Sequence, residues 1–119
     1  MASKNYFLNG IAELLILSIL KKNDTYIYDM KKIISDVSND ALPMSQNTIY
    51  SAAYKLENEG KISEYSKLVG RKRTRVYYHL EPDGSEYLEK LSAEYQSVVN
   101  NVGMILNYLE TETEDSDNE

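Results

Sequence analysis

Basic side chains are concentrated in one stretch of this acidic chain. Residues 45–80 carry seven basic residues and three acidic ones, a local charge of +4, whereas the formal net charge of the whole chain is −6. Four of the basic residues lie just after Gly70: Arg71, Lys72, Arg73 and Arg75. Ammonium and guanidinium groups gathered on a helix and a loop are typical of proteins that bind nucleic-acid phosphates. Residues 45–80 therefore predict a phosphate-binding surface.

The acidic residues are concentrated at the C-terminal end of the chain, so the net negative charge does not exclude a nucleic-acid partner. Residues 1–44 hold five basic and five acidic residues, and residues 81–119 hold eleven acidic residues against Lys90 alone. The absence of cysteine excludes disulfides, thiolate metal sites and cysteine nucleophiles, and it indicates a reducing compartment. The apolar stretch of residues 11–20 is shorter than the roughly 20 residues that a bilayer requires, and residues 1–7 lack a signal-peptide pattern. We expect a soluble, cytoplasmic protein.

A helix is predicted between Ser45 and Gly60, because serine is a favoured N-cap and glycine commonly follows the last helical turn. Its apolar positions at helical spacing are Ile49, Ala53 and Leu56. Small polar side chains on its other faces could meet base edges, and these are Asn47, Thr48 and Ser51. The Tyr50 hydroxyl and the Lys55 ammonium could reach phosphates.

Two β-strands are predicted after this helix, over residues 61–68 and 73–80, where β-branched and aromatic residues are frequent. Gly70 marks the tip of the hairpin between them. A flexible tip with cationic side chains can reach a groove beside the helix. The candidates in this hairpin are Arg71, Lys72, Arg73 and Arg75.

Two further helices are predicted before residue 45. The first, residues 8–22, is apolar around nearly its whole circumference, interrupted by Glu13 and Ser18. A domain of this size cannot cover such a helix on two sides, so we expect a second subunit to cover it. The second helix follows a turn and N-cap signal at residues 23–25 and has a one-sided apolar stripe. A short extended segment at residues 42–44 precedes the third helix.

The last predicted helix begins near Pro82 and repeats apolar residues at spacings of three and four: Leu88, Leu91, Tyr95, Val98, Val102, Ile105 and Leu109. This heptad pattern is typical of a helix that packs along another helix. About thirty residues of helix would span about 40 Å, too long to be covered by one small domain. We expect dimerisation through Leu88, Leu91, Val102, Ile105 and Leu109. Residues 111–119 are acidic and without apolar side chains, and we expect disorder there.

The order of elements is helix, helix, short strand, helix, hairpin and long helix. It predicts a mainly α (α+β) fold, a winged helix-turn-helix with a long C-terminal dimerisation helix. The expected boundaries are residues 1–80 for a DNA-binding domain, 81–110 for the dimerisation helix and 111–119 for the tail. The expected partner is double-stranded DNA, with Ser45 opening the helix that enters a groove.

Several short motifs resemble the PadR family of bacterial transcriptional regulators. They are Leu-Leu-Ile-Leu at 14–17, Tyr-Ile-Tyr-Asp-Met at 26–30, Ser-Gln-Asn-Thr-Ile-Tyr at 45–50, Lys-Leu-Glu-Asn-Glu-Gly-Lys-Ile at 55–62, and Arg-Val-Tyr-Tyr-His-Leu at 75–80 with Gly84. The single C-terminal helix is similar to the short subgroup of the family, which includes multidrug-responsive repressors. The resemblance implies a homodimer that represses a nearby operon until a small phenolic or aromatic molecule binds.

The resemblance also implies an effector site between subunits. In the multidrug-responsive relatives a flat ligand stacks on an aromatic side chain of the last helix, and Tyr95 matches that position. The residues that would line the same interface are Phe7, Gly10, Leu14, Val98 and Val99. Tyr95 departs from the tryptophan of those relatives, and its heptad position also fits a plain packing role in the dimer. Asn47 stands where the family often has glycine, and the hairpin lacks the common Gly-Arg-Pro-Arg order.

Two other classes of function are weighed against a repressor. A winged-helix dimer that binds another protein instead of DNA would fit the net charge of −6. An enzyme is disfavoured, because the sequence has no Gly-Lys-Ser/Thr phosphate loop, no zinc-binding histidine pair and no cysteine nucleophile. We therefore predict no catalytic residue, no metal site and no cofactor. His79 is the only histidine, and we expect it to be structural.

Overall fold

The structure, a computed structural model, describes residues 9–118, with side chains from residue 10 to residue 112. Its elements are α1 Asn9–Lys22, α2 Ile27–Val37, α3 Gln46–Asn58, β1 Ile62–Val69, β2 Arg73–Leu80 and α4 Pro82–Asn118. The chain divides into two compact units, a first unit that ends at Leu88 and a second unit that begins at Glu89. The predicted winged helix-turn-helix with a long C-terminal helix is confirmed.

The core of the first unit joins α1 to α3 and to the hairpin. The buried apolar residues of α1 are Ala12, Ile16, Leu17 and Leu20, and those elsewhere are Met30, Ile34, Met44, Ile49, Ala53, Leu56, Ile62, Tyr78 and Leu88. Burial of these side chains is the main favourable contribution to folding of this unit. Four further apolar residues of α1 are only half-buried: Ile11, Leu14, Leu15 and Ile19.

The two ends of α3 form as the sequence predicts. The Ser45 hydroxyl accepts a hydrogen bond from the Thr48 N–H at 3.1 Å, which satisfies a donor that the first turn leaves unpaired. At the other end Gly60 has a φ of +74°, and the Lys61 N–H bonds to the Leu56 carbonyl at 2.9 Å. A glycine in this left-handed conformation ends the helix and turns the chain directly into β1.

The start of α2 corrects the predicted cap. The N-cap residue is Tyr26, without a capping side chain, whereas the sequence indicates a cap within residues 23–25. Thr25 is buried, and its hydroxyl donates to the Asp29 carboxylate at 2.6 Å. Its carbonyl accepts from the Tyr78 N–H at 2.7 Å in an isolated β-bridge. The expected strand at residues 42–44 does not form, and besides β1 the strand β2 pairs with Thr25 in the turn before α2.

β1 and β2 pair antiparallel, from Ile62 opposite Leu80 to Val69 opposite Arg73. β1 begins and ends one residue later than predicted. Residues 70–72 close the hairpin, and Gly70 has a φ of +69°, so the predicted tip is confirmed. We call β1, β2 and this loop the wing.

The register decides which side chains share a face of the wing, because side chains alternate along a strand. Tyr65 lies opposite Tyr77, and Lys67 lies opposite Arg75, so these four share one face. The other face carries the buried residues Ile62 and Tyr78 toward the core. Cations and tyrosines are therefore interleaved on the face that does not contribute to the core.

Gly84 permits a close approach between the first turns of α4 and the segment that leads into β1. A Cβ at this position would lie 2.0 Å from the Lys61 carbonyl oxygen and 2.8 Å from a methyl carbon of Leu80. The Glu81 N–H donates to the same carbonyl at 3.1 Å. A side chain at position 84 would therefore force the backbone apart, which explains a glycine inside a helix.

α4 is longer than predicted. It extends to Asn118, so residues 111–118 continue the helix where composition led us to expect disorder. Glutamate is a good helix former, and an acidic segment that builds no core can still be helical. Only Glu119 of the expected tail lies outside the described residues.

Candidate nucleic-acid interface

The first half of α3 presents most of its predicted contact residues to solvent. Asn47 and Ser51 are exposed, and Tyr50 is 56% exposed. The hydroxyl groups of Ser45 and Thr48 also form a hydrogen bond, with their oxygens 3.0 Å apart. This bond adds to the N-cap bond from the Thr48 N–H to the Ser45 hydroxyl. The hydroxyls of Ser45 and Thr48 therefore stabilise the helix end, while Asn47, Tyr50 and Ser51 can reach a partner.

A cleft of about 580 Å³ connects the start of α3 with the wing. Gln46 and Tyr50 line it from α3, and Arg73 and Arg75 line it from β2. Its other lining residues are Tyr26, Ile27, Tyr28, Glu64, Val76 and Tyr78. The two guanidinium groups, the Tyr50 hydroxyl and the Gln46 amide could bind a phosphate oxygen, while the Glu64 carboxylate would repel one at its own side of the cleft. Of the predicted contact residues, the cleft brings together Tyr50 of α3 with Arg73 and Arg75 of the wing.

The cations of the wing tip are exposed. Arg71 and Lys72 lie in the three-residue loop, and Arg73 is the first residue of β2. A loop of this length with long, flexible cationic side chains can enter a groove or follow a backbone. The position of Gly70 predicts this tip correctly, and the outward direction of its side chains fits the predicted contact role.

Two cations on the body of the wing rest on tyrosine rings. The Arg75 guanidinium carbon lies 4.1 Å from the ring centre of Tyr26, and the Lys67 ammonium lies 5.0 Å from that of Tyr77. The rings themselves are in contact: Tyr26 meets Tyr77 edge to face at 5.4 Å, and Tyr65 stacks on Tyr77 at 5.8 Å. Cation–π contacts of this kind restrict the side chain and hold its charge on one face.

A carboxylate closes this aromatic cluster. Asp24 accepts a hydrogen bond from the Tyr65 hydroxyl at 2.8 Å and one from His79 Nδ1 at 2.9 Å. Burial alone would raise the pKa of Asp24, but the hydrogen bonds from His79 and Tyr65 outweigh it and lower that pKa. The same bond to Asp24 raises the pKa of His79. His79 is thus a polar link in the wing.

Lys55 is engaged within the protein. Its ammonium lies 2.9 Å from a carboxylate oxygen of Glu13 and 3.7 Å from one of Glu59. Glu13 is only 12% exposed and also accepts a hydrogen bond from the Tyr87 hydroxyl at 3.0 Å. The hydrogen bond to Glu13 raises the pKa of Lys55. Lys55 therefore ties α3 to α1, a role that the sequence did not suggest beside its predicted phosphate contact.

Several residues that line the cleft or support it were not predicted to do so from the sequence. Tyr26, Tyr28, Gln46 and Lys67 were not predicted as contact residues, and Asp24 was predicted only as part of the turn and N-cap signal at residues 23–25. Lys67 could have been found by counting back from the Gly70 tip, because that register places it opposite Arg75. The role of Asp24 depends on contacts 41 and 55 residues away, for which no local pattern exists.

The residues of the implied effector site are distributed over both units. Gly10 is exposed and Leu14 is half-buried, one turn apart on α1 in the first unit. Tyr95, Val98 and Val99 are exposed on α4 in the second unit. Phe7 lies outside the described residues.

Over the described residues, no helix has the length and hydropathy to span a membrane. In the same part of the chain, no group of histidine and carboxylate side chains is arranged to hold a metal ion.

Comparisons with known proteins agree with this arrangement. A transcriptional regulator from Clostridium thermocellum is 28% identical and superposes with a TM-score of 0.74 over 82% of this chain and 91% of its own. A PadR family regulator from Clostridium difficile is 27% identical, with a TM-score of 0.68 over 80% of this chain and 97% of its own. Bacillus subtilis PadR in complex with operator DNA is 24% identical, with a TM-score of 0.60 over 66% of this chain and 44% of its own, and shows the fold alone.

A family model described as the transcriptional regulator PadR-like family matches residues 16–90. This match includes α2, α3, the whole wing and the first turns of α4. The members of this family are transcriptional regulators and not enzymes. With more than half of its length matched, this chain belongs to the PadR-like family of transcriptional regulators.

Proposed function

We propose that this protein is a repressor that binds a palindromic operator as a homodimer and responds to a small aromatic effector. The observation that carries the proposal is the shared cleft, in which Tyr50 of α3 and Arg73 and Arg75 of β2 line one volume. In a winged helix-turn-helix the recognition helix enters the major groove while the wing approaches the neighbouring backbone. Residues 1–80 would form the DNA-binding part, acting in the cytoplasm.

The surface of α4 supports association of two copies. Val102, Ile105 and Leu109 are exposed at their heptad positions, as are Tyr95 and Val98. Exposed apolar side chains in a continuous row mark an interaction surface. Leu91 is half-buried and Leu88 is buried in the first unit, so we place the contact with the second copy from Leu91 onward. A two-fold dimer would read a pseudo-palindrome with half-sites separated by whole helical turns.

An effector would act at this same association surface. We propose that Tyr95 supplies a stacking face, with Val98 and Val99 beside it, and that Gly10 and Leu14 of the second copy complete the site. Gly10 has open space where a Cβ would lie, which leaves room for a flat molecule. The Tyr95 hydroxyl would favour a ligand with a hydrogen-bonding group over a purely apolar one.

The direct experiment is a footprint of the protein on the DNA upstream of its own coding region. We expect protection of two half-sites, weakened by a planar cationic or phenolic compound. Affinity should fall with salt at a slope of about −0.9 per phosphate neutralised. If none of these compounds changes the protection, the effector is contradicted, and the proposal of a DNA-binding repressor stands without it.

Variants of the interface test the residues. Arg71→Ala/Arg73→Ala should weaken binding and reduce the salt slope by about 0.9 for each lost phosphate contact. Lys21→Ala/Lys22→Ala, which removes the same charge from the end of α1, is the control and should keep most of the slope. An unchanged slope in the wing variant would show that the wing does not contact DNA.

Two tyrosines of α3 provide a test of the cleft and its matched control. Tyr50 lines the cleft and is 56% exposed, whereas Tyr54 is 60% exposed and lies outside it. Loss of one hydroxyl contact to a phosphate should lower operator affinity about threefold to tenfold for Tyr50→Phe and leave Tyr54→Phe unchanged. Equal effects of the two substitutions would contradict the assignment of the cleft.

The second candidate is a winged-helix dimer that binds another protein, favoured by the net charge of −6. Such a protein would not retard its own promoter fragment in a gel at moderate salt. Retardation with protection of two half-sites would exclude it.

A further inference from the structure

The turn between α1 and α2 is joined to both strands of the wing. The Asp24 carboxylate accepts from the Tyr65 hydroxyl of β1 at 2.8 Å and from His79 Nδ1 of β2 at 2.9 Å. The next residue, Thr25, accepts from the Tyr78 N–H through its carbonyl at 2.7 Å. One backbone bond and two side-chain bonds therefore connect this short turn to the hairpin.

These bonds lie beside the cationic face of the wing. Tyr65, bound to Asp24, stacks on Tyr77, and the rings of Tyr77 and Tyr26 lie under the Lys67 and Arg75 side chains. A shift of Tyr65 relative to the turn would therefore move the rings on which the two cations rest. The orientation of the cationic face depends on a carboxylate, a group that a DNA phosphate repels.

We propose that Asp24 is a positioning residue for DNA binding, which holds the cationic face of the wing in its binding orientation through Tyr65 and, in a proton-dependent way, through His79. This inference rests on the proposed DNA-binding function and adds to it a residue that does not contact DNA. The bond from Tyr65 is independent of pH near neutrality, whereas the bond from His79 gains an ionic component when the ring is protonated.

The charges around this pair set the direction of the pH effect. The hydrogen bond that His79 donates to Asp24 raises the pKa of His79, and the nearby Glu81 carboxylate acts in the same direction. Lys67 on β1 helps to lower the pKa of Asp24. Glu81 itself accepts from the Ser63 hydroxyl at 2.5 Å. Asp24 is therefore ionised near neutral pH, and the ionic link is present below the raised pKa of His79 and is lost as pH rises through it.

The test measures operator affinity between about pH 5.5 and about pH 8.5, the range over which histidine titrates. For the wild-type protein we expect affinity to fall about threefold per wing, or about tenfold for two wings, as pH rises, in line with a partly exposed ion pair. His79→Asn keeps an N–H donor near the position of Nδ1 but cannot titrate, and its affinity should be flat over this range. Tyr65→Phe should bind more weakly at every pH but keep the pH dependence.

The variant Asp24→Asn distinguishes positioning of the wing by Asp24 from a direct contact between His79 and a DNA phosphate. If Asp24 positions the wing, this variant should bind more weakly, lose the pH dependence and show a salt slope reduced by about 0.9 for each phosphate contact that the displaced wing no longer makes. If His79 instead contacts a phosphate directly, Asp24→Asn should bind more tightly and keep the pH dependence, which would overturn the proposal. Asp36→Asn, which breaks an exposed pair with Lys32 on α2, is the control and should change neither quantity.

Failure of the proposed function is distinguishable from failure of this inference. A wild-type protein that does not bind the upstream fragment at any pH contradicts the repressor. A wild-type protein that binds, with Asp24→Asn and His79→Asn matching it in pH profile and salt slope, contradicts only the role of Asp24. A melting temperature of each variant, taken at both ends of the pH range, identifies effects that arise from unfolding alone.

Discussion

The wing and the second half of α4 differ in how their exposed side chains are supported. On the wing, Lys67 and Arg75 rest on the rings of Tyr77 and Tyr26, and Tyr65, which stacks on Tyr77, donates a hydrogen bond to Asp24. On α4, the apolar side chains between Tyr95 and Leu109 are exposed to solvent. One copy of the chain thus completes a cationic surface but leaves a row of apolar side chains in water.

This difference separates two requirements of the proposed repressor. The surface that meets DNA is built by contacts within one chain, so its integrity should not depend on protein concentration. In the proposed dimer, α4 of two copies would hold two such surfaces together, so the fraction of paired surfaces should depend on protein concentration. Substitutions in the two regions are therefore expected to fail in different ways.

The largest effect is expected for Ile105→Asp on α4. Ile105 is 59% exposed at a heptad position, so a carboxylate is tolerated in a single copy but would be buried in the dimer. We expect self-association to weaken at least about 100-fold, with a similar loss of operator binding. Sedimentation over a range of concentrations measures the first and gel retardation the second.

Asn100→Asp provides the control for that substitution. It adds the same charge to α4 at an exposed position outside the heptad row. Its self-association should remain within a few-fold of wild type. If Ile105→Asp and Asn100→Asp behave alike, charge on α4 and not apolar contact governs the association.

The second effect is a loss of stability confined to the first unit. Gly84→Ala places a Cβ 2.0 Å from the Lys61 carbonyl oxygen, and backbone must move to relieve the clash. We expect the free energy of unfolding to fall by about 3 kcal/mol. Urea unfolding followed by circular dichroism, at one fixed protein concentration, measures it.

Gly103 is the matched control, because it is also a helical glycine of α4 but has no atom within 4 Å of the position that an alanine methyl group would occupy. Gly103→Ala should raise the free energy of unfolding by up to about 1 kcal/mol through helix propensity. A loss of stability in both variants would show that the close approach at Gly84 is not the cause.

The smallest effect is expected for Lys55→Met, which decides between two roles for this side chain. Lys55 is 56% exposed and bound to Glu13, so its removal should lower the free energy of unfolding by less than about 1 kcal/mol. If the Lys55 ammonium only connects α3 to α1 through Glu13, the salt slope of operator binding should stay unchanged. A slope reduced by about 0.9 per subunit would instead support the phosphate contact predicted from sequence.

Local patterns predicted the elements of this fold because local interactions decide them. Ser45 caps α3 and Gly60 ends it through bonds within a few residues, and Gly70 sets the hairpin tip by its own backbone conformation. The C-terminal end of α4 was predicted too early, because the acidic composition of residues 111–119 was used as the guide. Composition indicates whether a segment can build a core, but a segment without a core can still be helical. The cap of α2 was misplaced because Thr25 takes a partner in β2.

Three of the residues that line the cleft could be predicted from the sequence, but the residues that support them could not. Arg73, Arg75 and Tyr50 could be named from residue type, and the structure places them around one cleft. The pairs Lys55–Glu13 and His79–Asp24 join residues 42 and 55 positions apart. Such pairs depend on how elements pack, so a single sequence contains no spacing that would indicate them.

The stoichiometry of the complex with operator DNA tests the central claim most directly. Sedimentation of the upstream DNA fragment with excess protein should show a mass increase of twice the 13.7 kDa of one chain, with no complex that holds a single copy. A stable complex that contains one copy, from a protein that sediments as one copy at the same concentration, would contradict the account.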